Sequence, residues 1–194
     1  MRAMSSEDAR ASGAACELFT AIEQGDHSRV ADLVGTVKDT TNLDQCLALA
    51  CALGKPDCVL LLLAAHAAVD QANSAGITPL FIAAKSGHND CVQLLLAGQA
   101  AVDQADSDGD TPLLAACVRG HNDCVQLLLA AHAAVDQANR TGNTPLLMAC
   151  DKGHKDCVQL LLAAHAAIDQ ASSTGDTPLA IACAKGDNNC VQLL

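Results

Sequence analysis

Aromatic residues are nearly missing from this chain: Phe19 and Phe81 are the two present in 194 residues, with no Trp and no Tyr. A core without large rings has to be built from Leu, Ala, Val, Ile and Cys, and side chains of that size suit helices that approach one another closely. Basic residues are scarce too, 11 Lys and Arg against 22 Asp and Glu, for a net charge of −11 with His neutral. A nucleic-acid binder needs a basic face to neutralise phosphates and often aromatics for stacking, so no nucleic-acid partner is expected. The same charge opposes binding to anionic membrane surfaces. No apolar run approaches the roughly 20 residues of a membrane span. The opening segment, MRAMSSEDARASGAAC, lacks the apolar stretch of a signal peptide, and Glu7 and Asp8 do not suit a transit peptide. These absences point to one ordered unit in a reducing compartment, the cytoplasm with the nucleus as the alternative.

Cysteine, by contrast, is plentiful, and its spacing decides how it is read. Cys58, Cys91, Cys124, Cys157 and Cys190 lie 33 residues apart. Cys51, Cys117, Cys150 and Cys183 keep the same period, with Ala84 in the missing place, while Cys16 and Cys46 stand outside both series. The period governs the whole chain. Thr78-Pro79-Leu80, Thr111-Pro112-Leu113, Thr144-Pro145-Leu146 and Thr177-Pro178-Leu179 recur with it, and 25 of 33 positions are identical between the units opening at Thr111 and Thr144. A repeat of this length dictates the architecture. Upstream it persists more weakly, through Leu47, Ala50, Gly54, Cys58 and Val59, and then through Leu18, Ala21, Gly25, Val30 and Leu33 in a shorter unit.

Each unit has a physical reading. Thr111 is a good N-cap, and Pro112 at the first helical position gives up a donor that would be unpaired anyway. The spacing predicts a helix over Pro112–Arg119, stopped at Gly120, and a second over about Asn122–Ala130, with Asp123 in its first turn where the helix dipole favours negative charge. Cys124, Val125, Leu127, Leu128 and Leu129 make the second helix apolar nearly all round, so it must be covered on more than one side. Residues Ala133 to Asn143 are polar and contain Gly, and read as an extended turn or hairpin to the next unit. One unit cannot bury its own apolar surface, whereas stacked units can.

The pattern Asn73-x-x-Gly76-x-Thr78-Pro79-Leu80-x-x-Ala83-Ala84-x-x-Gly87-His88, followed by Val92-x-Leu94-Leu95-Leu96, resembles the ankyrin repeat over roughly residues 15–194. The resemblance implies an all-α solenoid of stacked helix-turn-helix repeats with β-hairpin-like connections. About six units follow, at 15–43, 44–77, 78–110, 111–143, 144–176 and an incomplete 177–194, after a disordered tail over 1–14. Three departures stand out. Phe81, Leu114, Leu147 and Ala180 replace the usual His after Thr-Pro-Leu, so the stack relies more on apolar packing. His66, Gln99, His132 and His165 replace the Gly that ends the second helix, which predicts strained but viable caps at positive φ. Asp70, Asp103, Asp136 and Asp169 replace an Asn near the hairpin's start, with short-range contacts to backbone N–H groups expected.

Metal and catalytic readings gain little support from the spacing. His88/Cys91, His121/Cys124 and His154/Cys157 sit at i, i+3, but a structural zinc site needs about four arranged ligands, and the same residues fall on the turn and core positions of the repeat. The nine periodic thiols are expected to be buried, reduced and packed as small hydrophobes, with Cys117 and Cys124 the kind of pair that could come nearest within a unit. No G-x-S-x-G, P-loop or G-x-G-x-x-G is present. The expectation is a non-enzyme with no metal and no cofactor.

The resemblance implies a partner-binding surface formed by the hairpin tips and the exposed face of the first helix, positions that vary between these near-identical units while much of the framework does not. They are Ser74, Ala75, Ile77, Lys85 and Ser86; Ser107, Asp108, Asp110, Val118 and Arg119; Arg140, Thr141, Asn143, Asp151 and Lys152; and Ser173, Thr174, Asp176, Ala184 and Lys185. A tuned binding face and neutral drift after duplication both fit this variation. The function expected is a protein-protein interaction module or scaffold binding a protein partner along the concave face. The alternatives are a regulatory or targeting segment of a larger enzyme or ligase subunit, and a structural spacer. The last unit stops at Val191-Gln192-Leu193-Leu194, which predicts a chain that belongs to a longer array and self-associates through that end.

Overall fold

The repeat period becomes a two-layer stack of helices in a computed structural model that describes residues 6–37 and 40–194. The first helix of each pair is α1 (Ser6–Gln24), α3 (Thr40–Ala52), α5 (Pro79–Ser86), α7 (Pro112–Arg119), α9 (Pro145–Lys152) or α11 (Pro178–Lys185). The second is α2 (His27–Val34), α4 (Pro56–Ala64), α6 (Asn89–Ala97), α8 (Asn122–Ala130), α10 (Lys155–Ala163) or α12 (Asn188–Leu193). First helices pack on first helices, second helices on second, and each helix on its partner within the pair.

The caps fix where these helices begin and end. Thr78, Thr111 and Thr144 accept from the backbone N–H of Phe81, Leu114 and Leu147, each at 3.2 Å, and Pro follows each Thr at the first helical position. The three threonines are themselves buried, so each side chain satisfies a donor that water cannot reach. At the far end Gly87, Gly120, Gly153 and Gly186 take the left-handed conformation. Beyond the second helices His66, Gln99, His132 and His165 sit at φ of 62° to 65°, the positive-φ caps expected without Gly.

The core runs continuously along the stack. Leu80, Leu113 and Leu146 from the first layer, and Leu62, Leu95, Leu128 and Leu161 from the second, are fully buried. Each Leu buried in this way contributes roughly 1.5–3 kcal/mol. Phe81, Leu114 and Leu147, where the resemblance implies His, are also buried, in line with apolar packing there.

Several sequence expectations are revised. Helix α1 begins at Ser6, inside the segment expected as a disordered tail over 1–14; Ala9, Ala11, Ala14 and Ala15 are strong helix formers. Residues 1–5 lie outside the described residues. Among the described residues there is no strand, and the hairpin-like connections are tight turns, each closed by a bond such as Gly76 N–H to Asn73 C=O at 2.9 Å. Cys183 is exposed, unlike the other eight periodic cysteines. In α11 it occupies the place at which Cys51, Cys117 and Cys150 are covered by the following unit.

The joints between units also differ from expectation. Asp70, Asp103 and Asp136 reach across to the next unit, accepting from the N–H of Ala101, Ala134 and Ala167 at 2.8–2.9 Å, where short-range contacts were expected. The imidazoles of His88, His121 and His154 reach the opposite way, each Nε2 donating to the carbonyl of Ala52, Lys85 or Val118 in the preceding unit at 3.1–3.2 Å. A third bridge links Asn89 to Asp123 at 3.0 Å and Asn122 to Asp156 at 3.2 Å.

Candidate functional site

The variable positions divide between two places. Ser74, Ala75 and Ile77, then Ser107, Asp108 and Asp110, then Arg140, Thr141 and Asn143, then Ser173, Thr174 and Asp176 form the tips of successive turns. Lys85, Ser86, Val118, Arg119, Asp151, Lys152, Ala184 and Lys185 occupy the last turn of α5, α7, α9 and α11. None of the twenty is buried. A helix rise of ~1.5 Å per residue puts the two sets on the order of 12 Å apart along the first helix. They are two rims of one surface.

The turn rim is rigid for a local reason. One side-chain oxygen in each turn accepts two backbone N–H groups: Asn73 from Ala75 and Ile77, Asp106 from Asp108 and Asp110, Asn139 from Thr141 and Asn143. In the last turn the Ser172 hydroxyl does the same more loosely, at 3.3 Å to both Thr174 and Asp176. Neighbouring tips are then joined: the N–H groups of Ser107, Arg140 and Ser173 donate to the carbonyls of Ala75, Asp108 and Thr141 at 2.8–3.0 Å.

The helix rim carries the cations, unevenly. Lys152 and Lys185 both pair with Asp151, at 2.8 and 3.1 Å. The hydrogen bond from Lys152, with that from Lys185, holds the Asp151 carboxyl below its ordinary range. The two ammonium groups thus share one carboxylate, and the cluster keeps a net positive charge. The Lys85 ammonium lies 5.5 Å from the centre of the Phe81 ring, a cation–π distance. Arg119 and Arg140 have no ion-pair partner among the described residues, which places two unpaired cations in the middle of the surface.

Between the rims lies a floor that the variable positions alone did not mark. Ile82, Met148 and Ile181 share one register position and are half-buried, while Ala115, the small residue at that position between the first two, is buried. At the opening end a groove of about 410 Å³ is lined by Thr41, Asp44, Gln45 and Ala48 of α3, the turn from Gln71 to Ser74, Ile77 and Ile82. The α3 residues fall in a unit whose identity to the others is weak, which is why comparison between units did not single them out.

The His/Cys pairs have other partners. Cys124 and Cys157 donate to the side-chain oxygens of Asn89 and Asn122, both at 3.0 Å, and the His rings are taken up by the joints. Among the described residues no three His, Cys, Asp or Glu side chains are grouped so as to hold a metal ion. The neighbouring thiol of Cys157, in the next unit, together with burial pushes the Cys117 thiol well up.

A family model described as ankyrin repeats (3 copies) matches residues 18–106, 47–139, 96–172 and 129–194. The chain belongs to the ankyrin-repeat family. Comparison with curated proteins gave no match. Ankyrin repeats are in general protein-protein interaction modules, and the two-rimmed surface is where this array presents its least repetitive residues. Among the described residues no helix is long and apolar enough to cross a membrane.

Proposed function

We propose that this ankyrin array is a non-catalytic scaffold that holds a protein partner between the turn tips and the last turns of the first helices. One observation carries the reading: residues shared between units are spent on caps, core and joints, while the twenty tip and helix-end residues, which change from unit to unit, all remain accessible. The charge distribution specifies the chemistry. Arg119, Arg140 and Lys85 favour an acidic or mixed segment, bound more weakly at high salt because exposed charges are screened. Charge reversal at Arg119 and Arg140 should weaken a cross-linked partner at least tenfold, and unchanged affinity would refute the reading. A regulatory segment of a larger enzyme would bind a catalytic domain through this same surface, and a spacer would bind nothing there.

Self-association through the last unit is a second proposal, supported by Leu179, 45% exposed on α11 beside exposed Ala180 and Cys183. Sedimentation velocity should show association in the parent and a monomer for Leu179→Gln. A monomeric parent would end that proposal.

A further inference from the structure

The row of joined turn tips is incomplete at its opening end. Ser107, Arg140 and Ser173 each donate a backbone N–H to the preceding tip. Ser74 stands 33 residues before Ser107, and its N–H has no acceptor among the described residues. The cause lies in the sequence. The α2–α3 connection spans residues 35–39, too few for the turn that residues 65–78 build between α4 and α5. Among the described residues the first pair of helices supplies no tip, and the groove of about 410 Å³ is lined by Ser74 and by residues of α3. Its volume falls in the range of roughly 300–1,000 Å³ typical of pockets that hold ligands.

We propose that this groove receives a turn of a protein partner, which continues the tip-to-tip row by offering a backbone carbonyl to the Ser74 N–H. The inference rests on the partner-binding reading above and names how one end of that partner is held. Three features define the occupant. The joints between tips show that a single carbonyl, presented by a closed turn, satisfies the N–H at this position of the repeat. Ala48, Ile77 and Ile82 give an apolar wall for one aliphatic side chain. Asp44 is the one ionisable residue among those lining the groove; one of its carboxylate oxygens accepts from the Ala68 N–H at 2.6 Å, and it has no cation partner among the described residues. The occupying turn accordingly carries Lys or Arg. This is recognition by extension of an existing backbone row, as when a strand is added to a sheet edge.

The chain's own turn supplies a probe: a cyclised peptide of residues 137–145, which presents the Thr141 carbonyl with Arg140 beside it. Titrated into the full chain, it should move the amide resonances of Ser74, Ala48 and Ile82. Ser74→Pro removes the donor at the second position of a turn closed by Gly76 N–H and Asn73 C=O, where Pro is favoured. It should weaken the peptide roughly three- to tenfold, the equivalent of one hydrogen bond. Replacing the peptide's arginine by Gln tests the charge without altering the protein and should weaken binding as well. Shifts that avoid the groove, or equal affinity for Ser74→Pro and the parent, would overturn the inference. A parallel titration with hexaglutamate separates the two levels: if it binds at Arg119 while the turn peptide does not, the groove proposal alone fails. If neither binds, the partner-binding reading falls with it.

Discussion

The His121 ring lies across the boundary between two units, its Nε2 3.2 Å from the carbonyl oxygen of Lys85 and its ring against Gly87. The Lys85 carbonyl is in the last turn of α5, where helical partners run out, so the histidine caps one unit from within the next. Two substitutions should expose this. His121→Ala should cost about 1–3 kcal/mol by orphaning the carbonyl and emptying the ring's place. Gly87→Ala should cost at least as much, because its methyl would fall 2.6 Å from Nδ1 at φ 76°. Urea midpoints equal to the parent for both would show the joint to be incidental.

Helix starts are the next test. Thr111→Ala and Thr144→Ala should each cost on the order of 1 kcal/mol. Thr177 makes the same bond at 3.3 Å but is only partly buried, so water can replace its hydroxyl and Thr177→Ala should cost less. Equal losses at all three positions would contradict the burial argument.

Valine in place of the core cysteines should not act uniformly. Cys91→Val adds a branched hydrophobe where no thiol hydrogen bond to an Asn is made, and should be neutral or stabilising. Cys124→Val and Cys157→Val remove the donors to Asn89 and Asn122 and should cost about 1 kcal/mol each relative to Cys91→Val. Thermal or urea unfolding of the three variants checks the ordering, and native mass spectrometry of the parent checks that no zinc accompanies the thiols.

Alkaline pH should destabilise the array through buried thiols. Burial pushes the thiols of Cys91, Cys124 and Cys150 from 9.0 up to about 11, so the folded chain keeps protons that the unfolded chain releases. Their contribution is complete below pH 9 and is lost as pH rises towards 11. The urea midpoint should fall across that window, and less so in a variant with all three replaced by Val. Independently, a thiol reagent should modify Cys16 and Cys183 promptly in the native state and the nine buried cysteines only on unfolding.

Legibility in the sequence followed how local each cause is. Helices α7 and α8 run over Pro112–Arg119 and Asn122–Ala130, because Thr-Pro and Gly act on their own neighbours. The positive φ at His66, Gln99, His132 and His165 was readable for the same reason. Asp70 and His88 were recognisable as turn residues, yet the donor to the first and the acceptor for the second lie 31 and 36 residues away, and no spacing rule within a unit points across a joint. The exposure of Cys183 was hidden by its membership of a buried series. The groove beside Ser74 was least legible of all, since it lies where the separation between α2 and α3 departs from the regular period.

The central joints of the array are made by contacts of constant span, such as 31 residues for the aspartates and 36 for the histidines. Copying or deleting one 33-residue central unit in the gene would leave each of those spans intact, so the array can change length without a new interface having to evolve. Each such step would widen the partner-facing surface by roughly the 8–10 Å separating packed helices. The groove at Ser74 would not multiply with it. An array lengthened this way would keep a single fixed origin and a variable reach.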